Sequence, residues 1–133
     1  MELNLSAKEF RRLLDLCYIG NWILNSCRGS HRFQDYDALL SKLFSRCPRL
    51  SRTVDGVSYP SQEYVDGGIH QAISCYEDTV FYEILSEELS RRDMEFSDIT
   101  EENDQELSDR MQAYMEQFEL YGVEHLYLED PSS

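Results

Sequence analysis

Three histidines, four cysteines and twenty-six carboxylates are the groups in this chain able to ligate a metal, attack a carbonyl or carry a proton. Their spacing argues against each of these chemistries in turn. His31, His70 and His125 stand in no His-x-x-x-His, Glu-x-x-His or Cys-x-x-Cys pattern, the arrangements that aim ligands at one metal from a helix or a tight loop. His70 and Glu77 share one side of a helix two turns apart, which supplies two ligands where a site needs three or four. There is no Gly-x-Ser-x-Gly elbow and no local cysteine-protease signature. Gly67-Gly68 lacks the following Lys and Ser/Thr of a phosphate loop and reads as a turn. The sequence therefore assigns no catalytic residue, no metal ligand and no cofactor. A small enzyme or metal-dependent protein would have to assemble its site from dispersed Asp, Glu, His and Cys.

The carboxylates come in pairs, Glu77-Asp78, Glu87-Glu88 and Glu101-Glu102, but most have an ordinary duty. Glu101, Glu102 and Asp104 fall in the first turn of an expected helix, where negative charge opposes the helix dipole favourably. Glu87 and Glu88 precede Arg91 and Arg92 by four residues, the orientation that suits surface ion pairs. The remaining excess is lopsided. Nine of the twelve basic residues and only six of the acidic ones lie in residues 1–60, giving about +3 there and −17 beyond. A net charge of −14 disfavours nucleic acid and anionic membrane as direct partners. It leaves room for a third reading, an inhibitor that imitates nucleic acid. The expected helix over residues 100–121 carries −6 on a length of roughly 30 Å. That is about 0.2 charges per Å against ~0.6 for duplex DNA, too dilute for one helix alone.

The elements that would position these groups are mostly helical. Ser6-Ala7-Lys8-Glu9 reads as a capping box, opening a helix that extends to about residue 26. Phe10, Leu13, Leu14, Cys17, Tyr18 and Leu24 form one apolar stripe, and Leu16, Ile19 and Ile23 a second. So wide an apolar surface predicts a central, largely buried helix, with Gly20 at a close helix crossing. A second helix is expected over 33–45, ended by Pro48. Val54-Asp55-Gly56-Val57 has the turn pair of a tight hairpin, on flanks short enough that a plain loop fits equally well. A third helix is expected over 69–92, a polar connector over 93–99, and a fourth helix over 100–121, closed by Gly122 in a left-handed conformation. The alternating residues 2–5 and 123–128 suggest a two-stranded ribbon joining the termini.

The fold class expected is mainly α: one domain spanning 1–133, a bundle of about four helices packed around the first and third. No segment approaches the ~20 apolar residues of a membrane span. The start has no basic stretch followed by an apolar core, which predicts a cytoplasmic location. The four cysteines (17, 27, 47 and 75) are then expected as reduced thiols, with Cys17 and Cys75 on apolar helix faces. The leading functional expectation is a non-enzymatic, acidic protein-interaction module that meets a basic protein or a second copy of itself. The candidate interaction surface comprises Trp22, the arginine cluster Arg46, Arg49 and Arg52, and the acids Glu87, Glu88, Glu101, Glu102 and Asp104. Trp22, with Asn21 beside it in the run Tyr18-Ile19-Gly20-Asn21-Trp22, belongs there because tryptophan is a frequent anchor of binding surfaces; core packing around a close helix crossing is the other reading of that run.

Overall fold

The chain enters its first helix, α1 (Ala7–Asn25), through the expected capping box: the Glu9 N–H donates to Ser6 Oγ, and the Ser6 N–H donates to Glu9 Oε1. The structure, a computed structural model, describes residues 1–130. It divides into two compact units, Met1–Ser74 and the chain from Cys75 onward.

In the first unit, α1 is followed by a short turn and α2 (Gln34–Phe44), then by β1 (Ser51–Val54) and β2 (Val57–Pro60). The strands pair antiparallel, Arg52 opposite Tyr59 and Val54 opposite Val57. Asp55 and Gly56 both have positive φ, 52° and 78°, as the two-residue turn matching the right-handed twist of a hairpin requires. β2 is tied to α2 by the Ser58 N–H, which donates to Ser41 Oγ at 2.9 Å. Ser61 then caps the single turn α3 (Gln62–Tyr64). This turn runs through a widened segment, Val65–Ile69, in which Gly68 takes φ 104°. The core of the unit is Leu14, Phe44 and Tyr64, all buried, with Phe10, Tyr18, Leu40 and Leu43 packed around them. Tyr64 meets Phe44 and Tyr18 edge-on, at centroid distances of 5.0 and 5.4 Å. It satisfies its hydroxyl by donating to Asp15 at 2.8 Å.

α4 (His70–Asp93) carries the chain into the second unit, which it shares with α5 (Asp104–Tyr121). Tyr82 packs on Phe118 with ring centroids 5.4 Å apart, and Tyr114 stacks on the same Phe118. At the far end of α4, Asp93 accepts hydrogen bonds from Arg92 and from the Tyr114 hydroxyl. Leu107 and Phe118 are the buried residues of α5.

The protein is thus mainly α, with four helices of eleven residues or more and one short hairpin among the described residues. Several expectations are corrected. No ribbon joins the termini: residues 2–5 form no strand, and the chain after α5 turns through hydrogen bonds from Glu124 to Tyr121 and from Leu126 to Val123. The alternation there is real but has no strand to pair with, and the Asp-Gly turn makes the ribbon instead. α1 is not largely buried. Its second stripe faces outward, Leu16 at 70% and Ile23 at 65% exposure. A Cβ added at Gly20 would meet nothing within 4 Å, so no helix crosses closely there. α5 begins at Asp104 rather than at residue 100, because the Thr100 N–H and the Asp98 carbonyl engage the Asn103 side chain in a preceding turn. Gly122 has φ 56° but ψ −135°, outside the left-handed helical region.

Leu14→Ala lowers the unfolding free energy by about 2–5 kcal/mol, whereas Leu16→Ala, two positions along the same helix, changes it by less than ~0.5 kcal/mol; urea titration of both variants measures the contrast. The Ser90 hydroxyl is buried with no hydrogen-bond partner among the described residues. Since an unpaired buried hydroxyl costs on the order of 1–3 kcal/mol, Ser90→Ala raises the urea midpoint, and a lowered midpoint would show that the hydroxyl has a partner.

Candidate functional site

The residues of α1 that face its own unit run Leu14, Tyr18, Asn21, Asn25, a spacing that keeps them on one helix side. The last two are polar, and Asn25 is wholly buried. Its Oδ1 accepts the Phe33 N–H at 2.7 Å, and its Nδ2 reaches Asn21 Oδ1 at 2.7 Å and the Phe33 carbonyl at 3.2 Å. Asn21 and Asn25 both donate to Asp37 Oδ1, and Arg32 grips the two oxygens of Asp37 at 2.9 Å each. The Arg32 guanidinium, helped by the two amides, holds the Asp37 carboxyl below the usual carboxylate range.

Above this network α1, α2 and β2 line an open cleft of about 820 Å³, within the range of small-ligand sites. Tyr18, Trp22 and Tyr59 are its aromatic walls, and Asn21, Arg32, Asp37 and Ser41 are among its polar lining. Tyr18 and Trp22 stack with centroids 6.3 Å apart. Both are braced from one side by His70, whose Nε2 lies 2.5 Å from the Tyr18 hydroxyl and whose ring meets Trp22 edge-on at 4.8 Å.

The second unit presents a different surface. It holds eighteen acidic and three basic residues, net −15, against nine basic and eight acidic in the first unit, net +1. Its three arginines are all engaged: Arg91 with Glu87, Arg92 with Asp93, Arg110 with Glu106. On the outer side of α4, Tyr76, Phe81 and Ile84 are more than half exposed, interleaved with Glu77, Glu83 and Glu88.

The residues singled out from sequence are thereby distributed. Trp22 is in the cleft. Arg46 and Arg49 are exposed on the segment after α2 and form no ion pair among the described residues, while Arg52 lies over the Tyr59 ring at 5.3 Å. Glu87 pairs with Arg91 as expected, but Glu88 does not pair with Arg92, which turns to Asp93 and Tyr114. Glu101 and Glu102 precede α5 rather than occupying its first turn, which holds Asp104 and Glu106. The helix itself then carries five acids and one arginine over roughly 27 Å, more dilute than the sequence suggested. Cys75 is exposed, contrary to its place on an expected apolar face, and all four cysteines are free. Burial pushes the Cys17 thiol up, away from the reactive thiolate. Asn21, singled out with Trp22, lines the same cleft; the residues missed were Asn25, Arg32, Asp37 and Tyr59. Two asparagines in line with Leu14 were the available signal.

Among the described residues no cluster of three or more His, Cys, Asp or Glu could hold a metal ion, and no helix is long and apolar enough to cross a membrane. No family model matches the chain, and no curated protein or solved structure shows significant similarity to it.

Because the pKa of Asp37 is depressed in the folded protein, its contribution to stability is fully present above the unfolded value of ~3.9 and is lost as pH falls through the lower folded value. Asp37→Asn therefore destabilises the protein at pH 7, and its difference from the parent narrows as the pH drops through the acid range. Urea midpoints at neutral and acid pH read this directly. A difference equal at both would show that hydrogen bonding rather than charge carries the contribution.

Proposed function

We propose that the protein is a non-enzymatic interaction module whose acidic second unit receives a basic, amphipathic segment of a partner protein. The outer face of α4 carries this reading. Tyr76, Phe81 and Ile84 are exposed there among acids, and the unit's three cations are already spent on Glu87, Asp93 and Glu106. An amphipathic helix with apolar side chains on one side and Lys/Arg along its flanks satisfies both features, the apolar stripe by burial and the acids by complementary charge. Large apolar and aromatic side chains between the carboxylates are of no use to a surface that imitates a phosphate backbone, which favours the helical partner over nucleic-acid mimicry. A second copy of the chain is a poorer occupant of the same face, since it would bring −15 against −15.

A synthetic leucine–lysine amphipathic helical peptide is a direct probe. It should bind saturably, weaken as salt rises from about 50 to about 200 mM, and lose roughly tenfold in affinity to the Tyr76→Ser/Ile84→Ser double variant. A lysine-only peptide of the same charge should bind much more weakly. Equal affinity for the two peptides, or an unaffected double variant, would reduce the face to nonspecific charge attraction and defeat the proposal.

A further inference from the structure

The cleft of the first unit differs chemically from the acidic face, and its hydrogen-bonding inventory leans toward donors. Its amide and carboxylate acceptors are taken, which leaves hydroxyls such as that of Tyr59 as its side-chain acceptors. The single carboxylate, Asp37, already takes bonds from Asn21, Asn25 and twice from Arg32, and the Asn21 carbonyl takes the Asn25 amide. Its donors are open. The Trp22 indole N–H has no partner among the described residues. Ser41 Oγ accepts the Ser58 N–H, which leaves its own proton to give. Arg32 has N–H groups beyond the two on Asp37 and one 3.4 Å from the Asn25 carbonyl, out of five in all. The Arg32–Asp37 pair cancels the charge, so the cleft has no net attraction for an anion.

A fitting ligand is therefore neutral, richer in acceptors than in donors, and apolar enough for walls of Tyr18, Trp22 and Tyr59. We propose that the cleft binds a proline-rich segment in the polyproline II conformation. Proline residues offer a backbone carbonyl and a flat apolar ring and carry no N–H. Their conformation is set in advance, so little ordering entropy is lost on docking against aromatic walls. Competing ligands meet the shortage of acceptors. A sugar brings a hydroxyl donor at nearly every carbon, and an ordinary extended peptide brings one N–H per residue; each donor buried without a partner costs about 1–3 kcal/mol.

Trp22 is the only tryptophan in the chain, so its fluorescence reports on this cleft alone. Titrating the full chain with a polyproline peptide of about ten residues, ~31 Å long, should shift the emission saturably. Because the probe is uncharged, the response should be insensitive to salt, which separates it from the acidic face of the second unit. Tyr59→Ala, on the exposed side of the hairpin, should weaken binding about tenfold. Trp22→Phe, followed by calorimetry, should weaken it roughly three- to tenfold through loss of the indole donor. A Gly/Ser peptide of equal length and glucose should leave the emission unchanged. The proposal is overturned by no saturable response in a chain whose circular dichroism is intact, by an equal response to the Gly/Ser peptide or to glucose, or by undiminished binding in Tyr59→Ala.

Discussion

A buried amide organises the first unit. Asn25 sits at the end of α1 with none of its surface exposed, and a carboxamide there must find partners for both its oxygen and its nitrogen. It finds them in the N–H and the carbonyl of one residue, Phe33. That pairing fixes where the chain can run after α1, and so where α2 can start. Asp37, one turn into α2, is then close enough to accept from Asn25 and Asn21 together. Such an arrangement contributes little net stability compared with an apolar core, but it permits one geometry, because any other leaves a desolvated polar group unpaired. The angle between α1 and α2, and with it the width of the cleft, is therefore set by hydrogen bonds as well as by the packing of Leu14 against Phe44.

The helices were legible because their signals are local. The capping box at Ser6, the 3.6-residue periodicity and Pro48 located α1, α2 and α4 to within a residue or two, and Asp55-Gly56 marked the hairpin turn. Burial was less legible. The second stripe of α1 and the outer face of α4 look like core in sequence, since Leu16, Ile23 and Ile84 have the residue types of an interior, yet periodicity records only that a face is apolar and not what covers it. The start of α5 was misplaced by one turn because the Asn103 side chain satisfies the backbone of the preceding turn, a choice no propensity scale encodes.

The cleft was the least legible feature. Trp22 stood out by type alone, whereas its opposite wall, Tyr59, is thirty-seven residues further on in a hairpin. Its polar floor depends on Arg32 turning onto Asp37 rather than into solvent. Asn21 and Asn25, on the line of Leu14 and Tyr18, were the readable clue. Two amides interrupting an apolar stripe indicate that the helix buries hydrogen bonds as well as hydrocarbon, and buried polar networks often border a site.

The uneven distribution of charge follows the architecture more closely than it follows the sequence midpoint. Dividing at Pro60 leaves Glu63 and Asp66 on the acidic side, but both belong to the first unit, which thereby comes to within one charge of neutrality. The two proposed sites would then recognise their partners at different ranges. In the first, Arg32 and Asp37 cancel each other and aromatic rings would do the contacting, so attraction would begin only at van der Waals and hydrogen-bond distance. In the second, an uncompensated −15 acts out to roughly a Debye length, ~8 Å at physiological salt, and draws cations in before any apolar contact forms. Neutralising the acids would slow a basic partner's approach to α4 while leaving the Trp22 cleft untouched, because nothing in the cleft depends on net charge.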